Sequence, residues 1–203
     1  DIFIAKFFRN FKKGFYVDVG ALHPINGSLT YLLYQKGWNG INIDMMQENL
    51  KLFNIFRKRD INLDVAVSSS KGSINAYLFE VGSGVNTNQL KIAKKWKSKI
   101  NKNFIRRKVK KNTLNNILIS NKVVEDFDFL NIDVEGNELN VLQSLNFDKY
   151  NPKIICVEIH DTNKMYTYDE NAIKNNPIYI FIKKAGYKKI WNKEFSFIFK
   201  KDR

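Results

Sequence analysis

The sequence contains a single cysteine and no long apolar run. One cysteine excludes a disulfide within the chain, and the apolar neighbours of Cys156 favour core packing over a reactive thiol. A chain without disulfides is typical of a reducing compartment, so we expect a cytoplasmic protein. No stretch of about 18 consecutive apolar residues is present, which excludes a membrane-spanning helix.

The composition is that of a folded domain. Of the 203 residues, 44% are hydrophobic and 14% are aromatic, which excludes wholesale disorder, and we expect a single domain over residues 1–203. The chain begins with Asp1 rather than Met, as a chain truncated at its N-terminus would. Residues 1–14 carry several phenylalanines on one helical face. We expect them to form a helix that covers the domain; the alternative is peripheral contact with an anionic membrane surface.

The formal net charge is +14, and residues 91–111, which include Trp96, form the most basic segment. Such a charge favours anionic partners in general, nucleic acid among them. Heavy use of Lys throughout the chain weakens the case for nucleic acid in particular. The basic segment has two interpretations: a surface for an anionic acceptor, such as a phosphorylated or nucleotide-linked sugar, or a solvated helix.

Strand and helix patterns alternate in the first third of the chain. The expected elements are strands at 15–19, 40–44 and 62–67, with helices at 28–36 and 47–56 between them. Ser28 is the expected N-cap of the first helix, and Gly37 is its expected stop. This order is typical of right-handed crossovers between parallel strands, and therefore of an α/β fold.

The alternation breaks and then returns. We expect a strand at 73–79, followed by an insertion or lid over a cleft at 80–112. The remaining expected elements are a helix at 113–119, a strand at 127–133, a helix at 137–145, a strand at 153–159, a helix at 177–185 and a hairpin of 187–191 with 195–199. Together these elements predict an open, mostly parallel, doubly wound sheet with an antiparallel C-terminal hairpin strand.

Carboxylates lie at or near the carboxyl end of every predicted parallel strand. They are Asp18, Asp44, Asp64, Asp133, Glu135, Glu158 and Asp161, with His160 beside the last two. Open α/β sheets bind ligands at these strand ends, where the strand order reverses. The sequence therefore predicts a cleft for a ligand that carries hydroxyl and ammonium groups.

The first loop discriminates between nucleoside cofactors. Gly20 permits a sharp turn, and Asp44, 24 residues further on, is placed to bind ribose hydroxyls. A dinucleotide site needs a second glycine in the G-x-G-x-x-G pattern, and residues 20–27 lack it at the required place. Asp18 would repel a pyrophosphate but suits an ammonium group, such as that of the methionine moiety of S-adenosylmethionine.

Three segments together resemble the FkbM methyltransferase family. They are residues 16–21 (Tyr-Val-Asp-Val-Gly-Ala), residues 37–44 (Gly-Trp-Asn-Gly-Ile-Asn-Ile-Asp) and residues 129–138, whose Ile-Asp-Val-Glu-Gly-Asn-Glu is the most specific part. The resemblance extends from about residue 15 to 199; His23 and Pro24 depart from the Gly- or Asp-rich turn of many members. It implies a Rossmann-like class I methyltransferase fold, S-adenosylmethionine as methyl donor, and O-methylation of a sugar, a glycan precursor or another small molecule.

The resemblance also implies roles for particular residues. The cofactor-binding set is Asp18, Gly20, Ala21, Ser28, Asp44, Asp64 and Val65. The first three would lie beside the methionine moiety, Asp44 on the ribose, and Asp64 or Val65 near the adenine.

The catalytic candidates follow the fourth and fifth parallel strands, because a general base must lie near the methyl group. Asp133 is the first choice, as base or as an acceptor that orients the substrate hydroxyl. His160 is the second, because imidazole titrates in a useful range, and Glu135 completes the set. Glu135 has the alternative role of favouring a helix dipole. These side chains with Glu158 could form an oxygen-rich metal site, but their spacing does not demand one, and we expect no metal.

Three other functions stay open. A nucleotide-cofactor oxidoreductase is disfavoured by the first loop. A nucleic-acid methyltransferase suits the charge, but no Asn-Pro-Pro-aromatic segment follows the fourth strand. The third is a non-enzymatic binding module. Acceptor specificity is expected in residues 80–112 and in the loops after Asp133 and His160.

Overall fold

The computed structural model describes residues 2–160 and 170–202. Asp161 and most of the loop after His160, where part of the acceptor specificity is expected, lie outside the described residues. The strands are β1 (Phe15–Val19), β2 (Asn39–Asp44), β3 (Ile61–Asp64), β4 (Ala66–Val67), β5 (Gly72–Leu78), β6 (Ile105–Asn112), β7 (Phe129–Ile132), β8 (Ile154–Glu158), β9 (Tyr187–Lys193) and β10 (Ser196–Lys201). The helices are α1 (Ile2–Phe7), α2 (Tyr31–Gln35), α3 (Gln47–Phe56), α4 (Leu90–Ile100), α5 (Leu114–Ser120), α6 (Glu138–Gln143), α7 (Glu170–Lys174) and α8 (Pro177–Lys184).

Seven strands form the main sheet in the order β3-β2-β1-β7-β8-β10-β9. The first five of these pair in parallel, and β10 is antiparallel to both β8 and β9. The strand order reverses at β1, which lies between β2 and β7. The predicted α/β fold with a mostly parallel sheet and an antiparallel C-terminal hairpin strand is confirmed.

Apolar side chains project from both faces of the main sheet, because neighbouring residues of a strand point to opposite sides. Val17 and Leu130 belong to the larger core cluster, and Tyr16 and Phe129 belong to a second one. Helix α1 covers the second cluster, where Ile4 and Phe8 are buried. The N-terminal segment therefore lies on the domain itself, and none of the described helices is long and apolar enough to cross a membrane.

Two local predictions are wrong. Residues 62–67 do not form one strand: Val65 interrupts it, and β4 leaves the main sheet for a smaller sheet of order β4-β6-β5. Helix α2 begins at Tyr31 rather than near Ser28, and its N-cap residue is Thr30. The Ser28 hydroxyl instead accepts a 2.8 Å hydrogen bond from Arg57 Nη2, a contact that the local sequence does not reveal.

Residues 80–112, expected as an insertion or lid, contain two regular elements. Helix α4 occupies the middle of the segment, and β6 at its end pairs antiparallel with β5 along the whole of that strand. The end of this segment is therefore part of the small sheet. Residues before β6 remain the candidate lid.

Candidate active site

A cleft opens at the carboxyl ends of β1, β2 and β7, where the strand order reverses. We call it the main cleft. Its lining includes residues 18–22, 26–29, 43–45, 65–67, 83, 84, 86, 88, 131, 133–135 and 137. This is the position at which open α/β sheets bind their ligands.

Gly20 allows the ends of β1 and β7 to contact each other directly. Its backbone has φ +83°, and a Cβ atom there would lie 1.6 Å from the carbonyl oxygen of Asp133. The amides of Gly20 and Ala21 both donate to the carbonyl of Ile43, at 2.9 and 3.1 Å. No other residue fits this position, because every side chain would displace the backbone after β7.

Asp18 lies at the base of the main cleft and is only 2% exposed. Thr30 Oγ1 donates a 2.9 Å hydrogen bond to one carboxylate oxygen, and Asn131 Nδ2 donates a 2.8 Å bond to the other. Burial raises the pKa of Asp18, and these two hydrogen bonds oppose the shift. Asp18 therefore organises the centre of the sheet, and its predicted contact with a methionine moiety stays a prediction.

Asp44 ends β2 and lines the main cleft. Its carboxylate accepts hydrogen bonds from the amides of Met46 and Leu22, at 2.7 and 3.0 Å, and from Asn49 Nδ2 at 3.3 Å. Burial raises the pKa of Asp44, while the same hydrogen bonds lower it. A carboxylate has about four acceptor sites, so one remains for a ligand hydroxyl.

The other predicted cofactor residues divide into two groups. Ala21, Ser28 and Val65 line the main cleft together with Gly20. Asp64 does not line it and has an exposed side chain at the end of β3. Of the two residues expected near an adenine, Val65 therefore lines the main cleft and Asp64 does not, and the adenine contact itself stays a prediction.

The first loop reaches its shape without a glycine-rich turn. His23 Nδ1 accepts hydrogen bonds from the amides of Ile25 and Asn26, at 3.1 and 2.9 Å. Arg57 lies below the loop, and its Nε donates a 2.8 Å bond to the carbonyl of Pro24. The departure from the Gly-rich turn is thus compensated by one imidazole and one buried guanidinium.

Three carboxylates gather where β7 and β8 end. Oxygen atoms of Asp133, Glu135 and Glu158 all lie within 4.8 Å of one another, and we call these residues the acid cluster. His160 Nε2 lies 2.9 Å from Glu158 Oε2. The structure therefore brings the three predicted catalytic residues together with Glu158.

Mutual repulsion and burial perturb the acid cluster. Asp133 is exposed to the main cleft, yet desolvation by the protein atoms around it and the charges of Glu158 and Glu135 raise its pKa well above the usual range. Burial and Glu158 raise the pKa of Glu135 to about 7. Burial alone would lower the pKa of His160, but its hydrogen bond to Glu158 and the charge of Glu158 raise it overall.

The turn after β7 is strained and held by Glu138. Glu135 has φ +53°, a backbone conformation that residues other than glycine rarely adopt and that is often found at functional sites. Glu138 Oε1 accepts hydrogen bonds from the amides of Gly136 and Val134, at 3.0 and 3.2 Å. Glu138 therefore has a structural role: it holds the backbone on both sides of Glu135.

The acid cluster has the oxygen chemistry to hold a divalent cation, since hard cations prefer carboxylate ligands. The sequence named these residues as possible ligands, but their spacing did not demand a metal site, because they come from two different strand ends. The expectation of no metal stays a prediction.

Residues before β6 reach over the acid cluster. Thr87 Oγ1 donates a 2.8 Å hydrogen bond to the carbonyl of Glu135, and Gln89 Nε2 donates to the carbonyl of Gly136. Trp96 Nε1 donates a 3.3 Å bond to Glu135 Oε2. The segment expected to be a lid thus contacts a predicted catalytic residue directly.

Sequence reasoning missed several residues that organise the site. Arg57 carried no local signal of its contacts. Asn131 did carry one, since it is a polar residue inside an otherwise apolar strand. A buried amide in such a strand needs a hydrogen-bond partner, and here the partner is Asp18.

Comparison with known proteins identifies the family. Residues 18–189 match the family model for the methyltransferase FkbM domain. No curated protein matches significantly. Among solved structures, the crystal structure of methyltransferase FkbM from Methylobacillus flagellatus KT is similar, with a TM-score of 0.49 and 12% sequence identity. The likeness covers 93% of this chain and 44% of that one, so the chain spans less than half the length of that protein. Because the family match extends over most of the sequence, the chain belongs to the FkbM methyltransferase family.

Proposed function

We propose that the protein transfers a methyl group from S-adenosylmethionine to a hydroxyl group of a sugar, a glycan precursor or another small molecule. The observation that carries this proposal is the arrangement of carboxylates around Gly20. Asp44, suited to ribose hydroxyls, and Asp133, suited to an acceptor hydroxyl, line the same cleft on either side of that glycine.

The lining of the main cleft fits the proposed cofactor. Asp44 keeps acceptor capacity for a ribose, and Ile43, Val65 and Val67 provide an apolar surface for a base. Asn86 and Asn88 add amide groups that can hydrogen-bond polar ligand atoms. These residues would hold the nucleoside, and residues 18–21 would lie beside the methionine moiety.

The chemistry asks little of the protein beyond positioning and proton transfer. When bound, S-adenosylmethionine supplies a methyl group that its sulfonium has already activated. Asp133 would orient the acceptor hydroxyl and take its proton as the oxygen–methyl bond forms and the carbon–sulfur bond breaks. A carboxylate with a raised pKa is the better base for this step, and Glu135 and His160 are the alternatives beside it.

Hydrogen bonding in the first loop favours this proposal over a nucleotide-cofactor oxidoreductase. Backbone amides of Gly20, Ala21, Leu22, Ile25 and Asn26 all donate to other groups of the protein. A pyrophosphate needs such amides to be available to it. The loop therefore offers no amide cradle at these positions.

Isothermal titration with S-adenosylhomocysteine, with NAD as a parallel control, tests the proposal. We expect micromolar binding of S-adenosylhomocysteine alone. Binding of neither compound by protein whose circular dichroism shows it to be folded would contradict the proposal and indicate a degenerate domain or a binding module. Binding of NAD alone would favour the oxidoreductase.

A further inference from the structure

Most of the net positive charge of the chain comes from one stretch. Residues 91–111, the basic segment, contain eleven Lys and Arg residues and no Asp or Glu, so they account for 11 of the 14 net positive charges. Within it, Lys102 pairs with Glu80, and Arg107 pairs with Glu48. The basic segment therefore carries a strong local positive field.

Helix α4, which begins the basic segment, is docked on the turn that presents the acid cluster. Ile92 packs on Gly136 so closely that a Cβ atom there would lie 2.1 Å from Ile92 Cδ1. Trp96, one turn later, donates a hydrogen bond from its indole Nε1 to Glu135. Ala93, which lies between Ile92 and Trp96 in the sequence, is buried. The apolar face of α4 is thus fixed beside the acid cluster.

Three lysines form a row along one side of α4. Lys91, Lys95 and Lys99 follow each other at intervals of four residues, so they share one side of the helix, and all three are exposed. Lys99 Nζ lies 4.8 Å from the centre of the Trp96 ring. The indole of Trp96 therefore contacts a cation at its ring and the carboxylate of Glu135 at its Nε1.

We propose that the acceptor is a sugar that carries a phosphodiester or diphosphate, and that Lys95 and Lys99 bind this anionic group. The inference rests on the proposed function, because it places the acceptor hydroxyl at the acid cluster. An anion next to Asp133, Glu135 and Glu158 would be repelled, whereas an anion on the lysine row is attracted. The two opposite charges thus orient the acceptor, with its neutral hydroxyl end toward the carboxylates.

The dimensions of the lysine row suit a small acceptor better than nucleic acid. From Lys95 to Lys99 the helix rises about 6 Å, which is comparable to the length of one diphosphate. Two source molecules share this chemistry: a nucleotide-linked sugar and a lipid-linked sugar. Both contain a diphosphate next to the sugar.

Binding measurements with variants of equal charge test the inference. The probes are UDP-glucose for the nucleotide-linked source, geranyl diphosphate for the lipid-linked source, and a 20-base-pair DNA duplex. The test variant is Lys95→Glu/Lys99→Glu. Its matched control is Lys94→Glu/Lys108→Glu, which has the same change in charge on exposed residues outside the lysine row. S-adenosylhomocysteine binding is measured in each protein.

We expect at least one diphosphate probe to bind the wild type, with its Kd raised about tenfold or more by Lys95→Glu/Lys99→Glu and about twofold or less by the control. The probe that binds more tightly identifies the source. S-adenosylhomocysteine affinity should be the same in all three proteins. The inference is overturned if neither diphosphate binds the wild type, if both variants weaken binding equally, or if the duplex binds more tightly than either diphosphate. If the wild type does not bind S-adenosylhomocysteine, the proposed function is overturned instead.

Discussion

Arg57 donates a 2.8 Å hydrogen bond from Nη2 to Ser28 Oγ, beneath the first loop of the main cleft. The Arg57 side chain is completely buried and also donates to the carbonyl of Pro24 and to the hydroxyl of Tyr16. Asp60 lies 3.8 Å away as its ionic partner. One guanidinium therefore ties the loop that lines the cleft to the core of the sheet.

Replacing Arg57 by Met should lower the free energy of unfolding by about 3–5 kcal/mol, because it leaves buried acceptors and Asp60 without their cation. Urea unfolding followed by circular dichroism measures this. Lys58→Met removes the same charge from the exposed neighbouring position, and we expect it to change the stability by about 0.5 kcal/mol or less. Equal stability of the two variants would show that Arg57 does not hold the loop.

Gly20→Ala should prevent the close approach of the ends of β1 and β7. The added Cβ would lie 1.6 Å from the carbonyl oxygen of Asp133, in addition to the strain of φ +83°. Gly37→Ala is the matched control, since Gly37 has φ +90° but a Cβ atom there would meet no described residue within 4 Å apart from its two neighbours in the chain. We expect the control to cost about 1–2 kcal/mol from backbone strain alone and Gly20→Ala to cost clearly more, measured by thermal unfolding. Similar costs would mean that the close approach is easily relaxed.

Asp44→Ala should weaken S-adenosylhomocysteine binding by about 1–3 kcal/mol, the range for hydrogen bonds to a charged group. Titration calorimetry measures the affinity. Asp64→Ala changes the corresponding residue at the end of the neighbouring strand, and we expect no change because Asp64 lies outside the main cleft.

The Asp44 result needs a stability measurement beside it. The carboxylate also accepts hydrogen bonds from the amides of Leu22 and Met46, so its loss should lower the thermal midpoint as well. Unchanged affinity in a folded Asp44→Ala protein would rule out the ribose assignment.

Asp133→Asn should lower the turnover number about 100-fold or more, the contribution expected of a general base, with little effect on S-adenosylhomocysteine affinity. Steady-state methyl transfer and calorimetry measure the two quantities. Asp148→Asn makes the same change at an exposed position outside the main cleft and should behave as wild type. Wild-type turnover in the Asp133 variant would remove this residue from the mechanism.

Glu135→Gln should stabilise the protein more at pH 8 than at pH 5. Burial and Glu158 raise the pKa of Glu135 from 4.5 to about 7, so the folded state holds this proton more tightly than the unfolded state. The resulting stability is present below the unfolded pKa and is lost as the pH rises through about 7. Glutamine cannot ionise and avoids this loss. Thermal unfolding of both proteins at the two pH values measures the difference.

Glu48→Gln is the control for this pH dependence. The hydrogen bond from Arg107 lowers the pKa of Glu48. The contribution of Glu48 to folding stability is therefore present above its unfolded pKa and is lost only as the pH falls through its folded pKa. The stability difference between this variant and wild type should therefore be nearly the same at pH 5 and pH 8. A pH-independent effect of Glu135→Gln would mean that the acid cluster does not perturb Glu135.

Local sequence pattern was sufficient for most of the fold. Helix α3 has the bounds that its apolar periodicity predicts, and Thr113 caps α5 as expected by accepting from the amide of Asn116. Pro177 begins α8, and the final hairpin is present. Elements of this kind depend on residues within a few positions of each other, which is why periodicity and capping residues reveal them.

The errors lie where a distant segment competes with local preference. Ser28 is a good N-cap by type, but the buried Arg57 takes its hydroxyl, and α2 starts later. Residues 66–67 continue the apolar run of the third strand, but β6 pairs with them in the small sheet. Neither partner can be read from neighbouring residues.

The sequence by itself determined the alternation of strands and helices, the glycine turn at Gly20 and the carboxylates at the strand ends, because each depends on short-range steric and hydrogen-bonding preferences. Only the tertiary structure decided which of those carboxylates meet. Asp133, Glu135 and Glu158 form one cluster because β7 and β8 are parallel neighbours, and Asp64 is excluded because β3 lies at the edge of the sheet. Electrostatic perturbation falls off with distance, so the raised pKa values of the acid cluster follow from this packing and not from the order of residues along the chain.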